Sequence, residues 1–423
     1  MTFGCVRDWF ICLARISKFL ADQHSDWLGR ARRKSVLSNE SDDRPRSKRT
    51  NASTEVLRVR IPDRNDDGPR RHDIFCIAAS MGGIEAISEL LRQIPAEFPG
   101  AIFVTQHTSS TSRRIYLAEI FGRHANLPCH LASDGEPFRK GSVYVAVPDH
   151  HLLIERDCIR TAIGPKENYA RPAADPMFRS AAVHHGGAAV GVVLTGMLDD
   201  GSAGLEAIKQ CGGKALAQHP ETAIAPDMPS NAIRYCDVDG VLPLDGIAAA
   251  MSLLAESSAG DSVPPSQTLL TELAFAQSVE SNIPAEQRIG QLSPYMCPDC
   301  SGQMWQVDQT SLRRFRCHVG HAHTIKSLVE YHSDAAERMG WSMLRTLREK
   351  ERMIRQLADE EDQKGNTDVA AIYRQQAEAV GQQAALISNA IKLAPESNVP
   401  QGSTRSSGIE NGLAALQSNL ASE

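Results

Sequence analysis

Three residues of the kinds that cooperate in acyl chemistry each stand just past an apolar run. Ser80 follows Ile74 to Ala79, His107 follows Ala101 to Thr105 and Gln106, and Asp200 follows Val190 to Leu194 and the stretch Thr195-Gly196-Met197. A serine hydroxyl is a weak nucleophile near neutral pH, so attack on a carbonyl needs a neutral imidazole to accept its proton and return it to the leaving group. A carboxylate then holds the imidazole in one tautomer and stabilises its cation. Ser80 opens the run Ser-Met-Gly-Gly ahead of a helical pattern, and a helix amino terminus offers N–H groups and a positive dipole end to a developing oxyanion. The competing role for Ser80 is a helix N-cap, which serine commonly fills. Asp199 stands beside Asp200, and spacing alone does not choose between them.

A second group has metal chemistry. Cys297-Pro-Asp-Cys300 is followed by Cys317 and His321, the spacing of a closed tetrahedral zinc knuckle, with His318 and His323 as competing ligands. A structural zinc is expected there. The hydrolytic group itself needs no metal. The remaining seven of ten cysteines are scattered singly, and with no export signal a reducing cytoplasm is the expected setting.

The elements that must position these residues follow from periodicity. IFCIAA, AIFVTQH and VGVVLTGM alternate with helical stretches at Ile84 to Ile94, Ser112 to His124 and Ala203 to Cys211. Doubly apolar strands separated by amphipathic helices predict βαβ units and a mainly parallel, doubly wound α/β sheet. Its carboxyl edge is where ligands gather. VYVAV, HLLIE and CIRTA suggest antiparallel strands inserted in that sheet, the last two as a hairpin.

The chain of 423 residues is 42% hydrophobic and 23% charged, enough for a core and more than one domain. Its formal charge of -6 divides into a basic arm over residues 1–72 and an acidic remainder. Trp9, Leu13, Ile16 and Leu20 fall at helical spacing, but Arg15 and Lys18 interrupt a run too short to span a bilayer. The expected organisation is a largely disordered extension (1–72), a catalytic domain (73–252), a linker with a short helix near Leu269 to Ser278 (253–292), a Cys/His zinc-ribbon-like module (293–324), a helical hairpin (325–394) and a disordered tail (395–423). Arg313, Arg314 and Arg316 with Phe315 and Trp305 could suggest a nucleic-acid ribbon. The favoured reading is a solvated basic strand around a small aromatic core, so a nucleic-acid partner is not expected.

The segments IAASMGG, VTQH, GSVYVAVPDHHLLI, RPAADPMFRSAA, LTGMLDDGSAGL and PSNAI, in this order, resemble the catalytic domain of the CheB protein-glutamate methylesterases of bacterial chemotaxis. The resemblance implies Ser80 as nucleophile, His107 as base and Asp200 as acid, and so chooses Asp200 over Asp199. It implies hydrolysis of glutamyl methyl esters on cytoplasmic helices of chemoreceptors, with methanol released, and deamidation of glutamine as a second reaction. Met197 would help bind the oxyanion through its backbone N–H; Met81, next to the nucleophile, is counted with it as an oxyanion or substrate residue; Arg171 is a candidate for substrate recognition or for pairing with Asp175. Met81 stands where many members have threonine, and Leu198 where they have glycine. Members that respond to phosphorylation carry an amino-terminal receiver domain. The basic stretch here does not suit one, so regulation is expected from the arm, the carboxyl-terminal region or a regulatory protein partner. The rival reading is a catalytically weak signalling adaptor that keeps the fold for docking.

Overall fold

The computed structural model describes residues 71–107, 116–277, 290–307 and 311–393. The basic extension up to residue 70, part of the segment after His107, residues 278–289 and the expected tail lie outside the described residues.

Seven parallel strands form the main sheet: β1 (Ile74–Ala79), β2 (Ala101–Gln106), β3 (Cys129–Leu131), β4 (Val143–Val145), β7 (Ala189–Val193), β8 (Lys214–Gln218) and β9 (Gly240–Leu242), in the order β3-β4-β2-β1-β7-β8-β9. Along β1 the side chains divide with period two. Phe75, Ile77 and Ala79 enter one core and Ile74, Cys76 and Ala78 the other. Helices α1 (Gly83–Gln93), α2 (Leu117–Gly122) and α6 (Leu244–Glu256) cover the first face through Ile87, Leu90, Phe121, Ile247 and Met251. Helices α3 (Ala174–His185), α4 (Ser202–Gln210), α5 (Asp227–Tyr235) and α7 (Gln267–Gln277) cover the second through Phe178, Leu205, Met228 and Leu273. Each such side chain, fully buried, contributes about 1.5–3 kcal/mol of hydrophobic stabilisation. The stretch expected as a linker is therefore partly core, because α7 buries Leu269, Leu273 and Ala276 there.

The chain leaves β1 toward β2 on one side and later returns to β7 on the other, so a topological switch point falls at the carboxyl end of β1. Sequence reading and structure part over the hairpin. VYV is β4, a parallel member of the main sheet, whereas β5 (His151–Ile154) and β6 (Ile159–Ala162) pair only with each other. β5 is buried throughout and packs on α3, so its apolar run reflects a helix above it and not a sheet on either side.

A four-stranded antiparallel sheet follows: β10 (Gln291–Met296), β11 (Gln303–Gln306), β12 (Arg314–Cys317) and β13 (Ala322–Thr324). Helices α8 (Ile325–Gln363) and α9 (Thr367–Leu393) pack against each other. The basic strand β12 is not solvated. Arg314 and Arg316 are 5% and 3% exposed; both pair with Glu272 of α7, and Arg316 also pairs with Glu167, the partner of Arg179 on α3. Five charged side chains thus form a buried seam between the antiparallel sheet and the α/β layer. Burial would be costly for any one of them alone and is offset by two-sided pairing.

Candidate active site

At the end of β1 the chain turns sharply. Gly82 adopts φ 73° and caps α1 without a side-chain bond, so the helix-cap role open to Ser80 is not taken. Ser80 is tied down by its backbone: its N–H donates to Thr195 O at 2.9 Å, and its carbonyl accepts from Gly83 N at 3.0 Å and Gln106 Nε2 at 2.7 Å. Among the described residues its partly exposed hydroxyl takes no hydrogen bond. Gly196 lies close overhead, because a Cβ there would stand 2.8 Å from Ser80 Cβ and 2.0 Å from Met228 Sδ. Only glycine lets the Thr195-Gly196-Met197 turn approach so near.

His107 leaves the neighbouring strand one residue after Gln106, which is in register with Ala79, and its N–H donates to Ala79 O at 3.0 Å. Adjacent parallel strands run about 4.8 Å apart, which puts the bases of the serine and histidine side chains side by side. His107 Nε2 lies 2.7 Å from Asp200 Oδ2. With Nε2 on the carboxylate, Nδ1 is the ring nitrogen available to a hydroxyl.

Asp200 sits at the amino terminus of α3. Its carboxylate accepts from Ala174 N at 2.6 Å and Asp175 N at 3.4 Å, and from Asn168 Nδ2 at 3.2 Å. Exposed helix-end amides and the dipole both favour an anion there. Burial alone would raise its pKa; the bond from His107, followed by the Ala174 and Asn168 bonds, holds it below the ordinary range. The two flanking acids behave oppositely. Burial, followed by the charge of Asp200, pushes Asp175 up to about 7, and burial lifts Asp199 to about 6. Asp199 points instead toward Thr324, whose hydroxyl donates to its Oδ1 at 2.8 Å.

Of the other candidates, Met81 and Met197 are exposed at 53% and 44% beside the serine turn. The Met81 carbonyl accepts from Thr195 Oγ1 at 2.9 Å. Leu198 lies at φ 63°, the left-handed conformation a glycine would take without strain. Arg171 does not pair with Asp175. Its Nε donates to Asp149 Oδ1 at 2.9 Å and its Nη1 to Gly164 O at 2.8 Å, while Asp175 takes the amide of Gly204 at 2.7 Å. A buried acid at a helix start is satisfied by backbone N–H groups, which sequence spacing does not display.

Cys297, Cys300, Cys317 and His321 bring their ligand atoms within 4.8 Å of one another. Cys300 and Cys317 Sγ are 3.6 Å apart, and His321 Nδ1 is 3.6 Å from Cys317 Sγ. Three thiols and an imidazole are the donor set of a closed tetrahedral site. Hydrogen bonding from Cys297, followed by that from His321 and Cys300, lowers the Cys317 thiol from its ordinary value. His318 is exposed and lies outside the group, and His323 Nε2 bonds Asp299 at 3.0 Å.

The features missed in sequence are asparagines. Asn168 and Asn231 contact the 198–200 turn at Asp200 and at Leu198, and the quoted PSNAI contained Asn231 without revealing what it touches.

A doubly wound α/β protein with a serine, a histidine and an aspartate gathered at one strand edge is the class this fold and site define. The family model for the CheB methylesterase matches residues 75–251. A putative protein-glutamate methylesterase/protein-glutamine glutaminase of Leptospira interrogans is 37% identical over 178 residues, covering 42% of this chain and 92% of that protein. The chain belongs to the CheB methylesterase family. Protein-glutamate methylesterase/protein-glutamine glutaminase 2 of Rhodospirillum rubrum is 35% identical over 201 residues, covering 46% of this chain and 54% of that protein. The chain thus spans about half the length of that curated relative, and of the Rhizobium johnstonii one, where it covers 48%. The crystal structure of the Thermotoga maritima CheB methylesterase catalytic domain is 31% identical, with a TM-score of 0.41, covering 43% of this chain and 98% of that one. Among the described residues no helix is long and apolar enough to cross a membrane.

Proposed function

We propose that this protein hydrolyses the γ-methyl esters of glutamate residues on methylated chemoreceptor helices, working in the cytoplasm. The observation that carries the reading is the 2.7 Å bond between His107 and Asp200 at the strand edge where Ser80 also stands. Ser80 Oγ attacks the ester carbonyl as His107 Nδ1 takes its proton, and Asp200 steadies the resulting imidazolium. The tetrahedral oxyanion is met by backbone N–H groups, that of Met197 among them. Collapse expels methoxide, which leaves as methanol with the proton from His107. Water, deprotonated by the same imidazole, then cleaves the acyl-serine and frees the glutamate carboxylate. A glutamine amide would follow the same course and release ammonia, in keeping with the second activity in the relatives' names.

The Cys297, Cys300, Cys317 and His321 group is proposed to hold a structural zinc. The ion would cross-link the two knuckles of the small sheet and take no part in the ester reaction.

Methanol release from methylated receptor tests the proposal, with Ser80→Ala as control. The wild type should release methanol and the variant should not; equal rates would overturn it. The strained Leu198 at φ 63° favours one rival, a catalytically weak adaptor. That rival predicts receptor binding without methanol release from either protein.

A further inference from the structure

The turn that carries the candidate acid is held at three consecutive residues, and at each of them one hold leads to the start of α8. The Leu198 carbonyl accepts from Asn231 Nδ2 at 2.6 Å, and Asn231 Oδ1 accepts from Lys326 Nζ at 2.6 Å. Asp199 Oδ1 accepts from the Thr324 hydroxyl at 2.8 Å. Asp200 Oδ1 accepts from Asn168 Nδ2 at 3.2 Å, and Asn168 Oδ1 accepts from Thr324 N at 3.2 Å.

The chemistry of these partners fixes the direction of both relays. A carboxamide has one accepting and one donating end, whereas an ammonium group and a backbone N–H can only donate. Lys326 and Thr324 therefore draw the Oδ1 of each asparagine toward themselves and leave Nδ2 aimed at the 198–200 turn. Asn168 is further constrained by φ 48° and by donating its own N–H to Ala322 O at 2.8 Å. Without Thr324 opposite, its amide could flip and set an oxygen against the Asp200 carboxylate. Thr324 is itself locked in a capping box with Ser327 at the end of β13, which pairs with β12, the strand ending in Cys317.

We propose that Thr324, Lys326, Asn168 and Asn231 are positioning residues for the esterase centre, so that the carboxyl-terminal segment is a working part of the site and not an appendage. This rests on reading Ser80, His107 and Asp200 as the triad. The geometry needed for proton transfer is strict enough that a displacement of about 1 Å can cost on the order of 100-fold in rate. Asn168 holds the Asp200 carboxylate directly, whereas Asn231 and Thr324 hold the two residues before it, so releasing any of them loosens the turn that aims the carboxylate.

The test uses the full-length protein, a glutamyl methyl ester receptor peptide and two variants. Asn168→Gly suits φ 48° and so removes the amide without straining the backbone; Lys326→Met removes the ammonium that orients Asn231. Two quantities are read: kcat and KM for methanol release, and the downfield proton resonance of the His107–Asp200 bond. Asn168→Gly should lower kcat about tenfold or more with KM within about twofold, and should shift or broaden the resonance. Lys326→Met should lower kcat about threefold at constant KM. Unchanged kcat and resonance in Asn168→Gly would overturn the proposal. Should thermal melting show that this variant does not fold, unchanged values in Lys326→Met decide against it. A wild type that releases no methanol would remove the esterase reading instead, and the resonance would still report whether the brace holds His107 and Asp200 together.

Discussion

Glu272 meets Arg314 in a two-point pair, Nη1 to Oε1 at 2.6 Å and Nη2 to Oε2 at 2.9 Å, with all of these atoms in residues almost wholly removed from water. The same carboxylate also takes Arg316 at 3.1 Å. Glu272→Ala strands the buried Arg314 guanidinium and leaves Arg316 with Glu167 and the Gly320 carbonyl, and should cost about 3–5 kcal/mol of stability, read from urea unfolding. A loss under about 1 kcal/mol would show that the seam is wet or open in solution.

Asp200 and Asp199 separate cleanly by substitution. Asp200→Asn replaces an acceptor-only carboxylate with a neutral amide whose NH2 can face the His107 ring and favour the wrong tautomer, and should lower kcat by about 10³–10⁴. Asp199→Asn keeps an oxygen for Thr324 and should stay within about tenfold of wild type. Reversal of that order in methanol-release kinetics would transfer the acid role to Asp199.

Leu198 carries a side chain in a left-handed turn. Leu198→Gly relieves strain of about 1 kcal/mol and should raise or preserve stability while leaving methanol release intact. Destabilisation by more than about 1 kcal/mol would mean that the leucine side chain contributes packing the strain argument overlooks.

Asp175 is raised to about 7, first by burial and next by the charge of Asp200, against the opposing pull of Arg179 and Arg314. The folded state therefore binds its proton more tightly than the unfolded chain does. Its contribution to stability is full below the ordinary aspartate value near ~3.9 and is lost as pH rises through about 7. Across that window the unfolding free energy of the wild type relative to Asp175→Asn should fall as pH rises.

Removal of metal should unsettle the small sheet first. A strong chelator, or Cys300→Ser, should abolish stoichiometric zinc and lower the melting temperature by about 5 °C or more. Identical melting curves with and without chelator, on protein shown to contain zinc, would assign the cysteines another role.

How far the sequence could be read depended on the range of each interaction. Apolar runs that stop at Ser80, His107 and near Asp200 mark strand ends, because burial on both faces of a parallel sheet leaves a local pattern. The cysteine spacing is equally local. Nothing local marks Arg316 as buried, since its partners Glu167 and Glu272 lie 149 and 44 residues away, and an arginine beside an aromatic reads as a surface strand until those partners are known. Asn168 and Thr324, 156 residues apart, fall in the same class. The hairpin at β5 misled for a related reason: a buried apolar strand looks the same whether a sheet or a helix covers it.

Helix α8 begins at the brace and continues unbroken for 39 residues, a rod about 58 Å long. Its far end at Lys364 therefore stands well out from the strand edge that carries Ser80, His107 and Asp200. Any single body that touches both that edge and the tip of the helix has to reach across about that length.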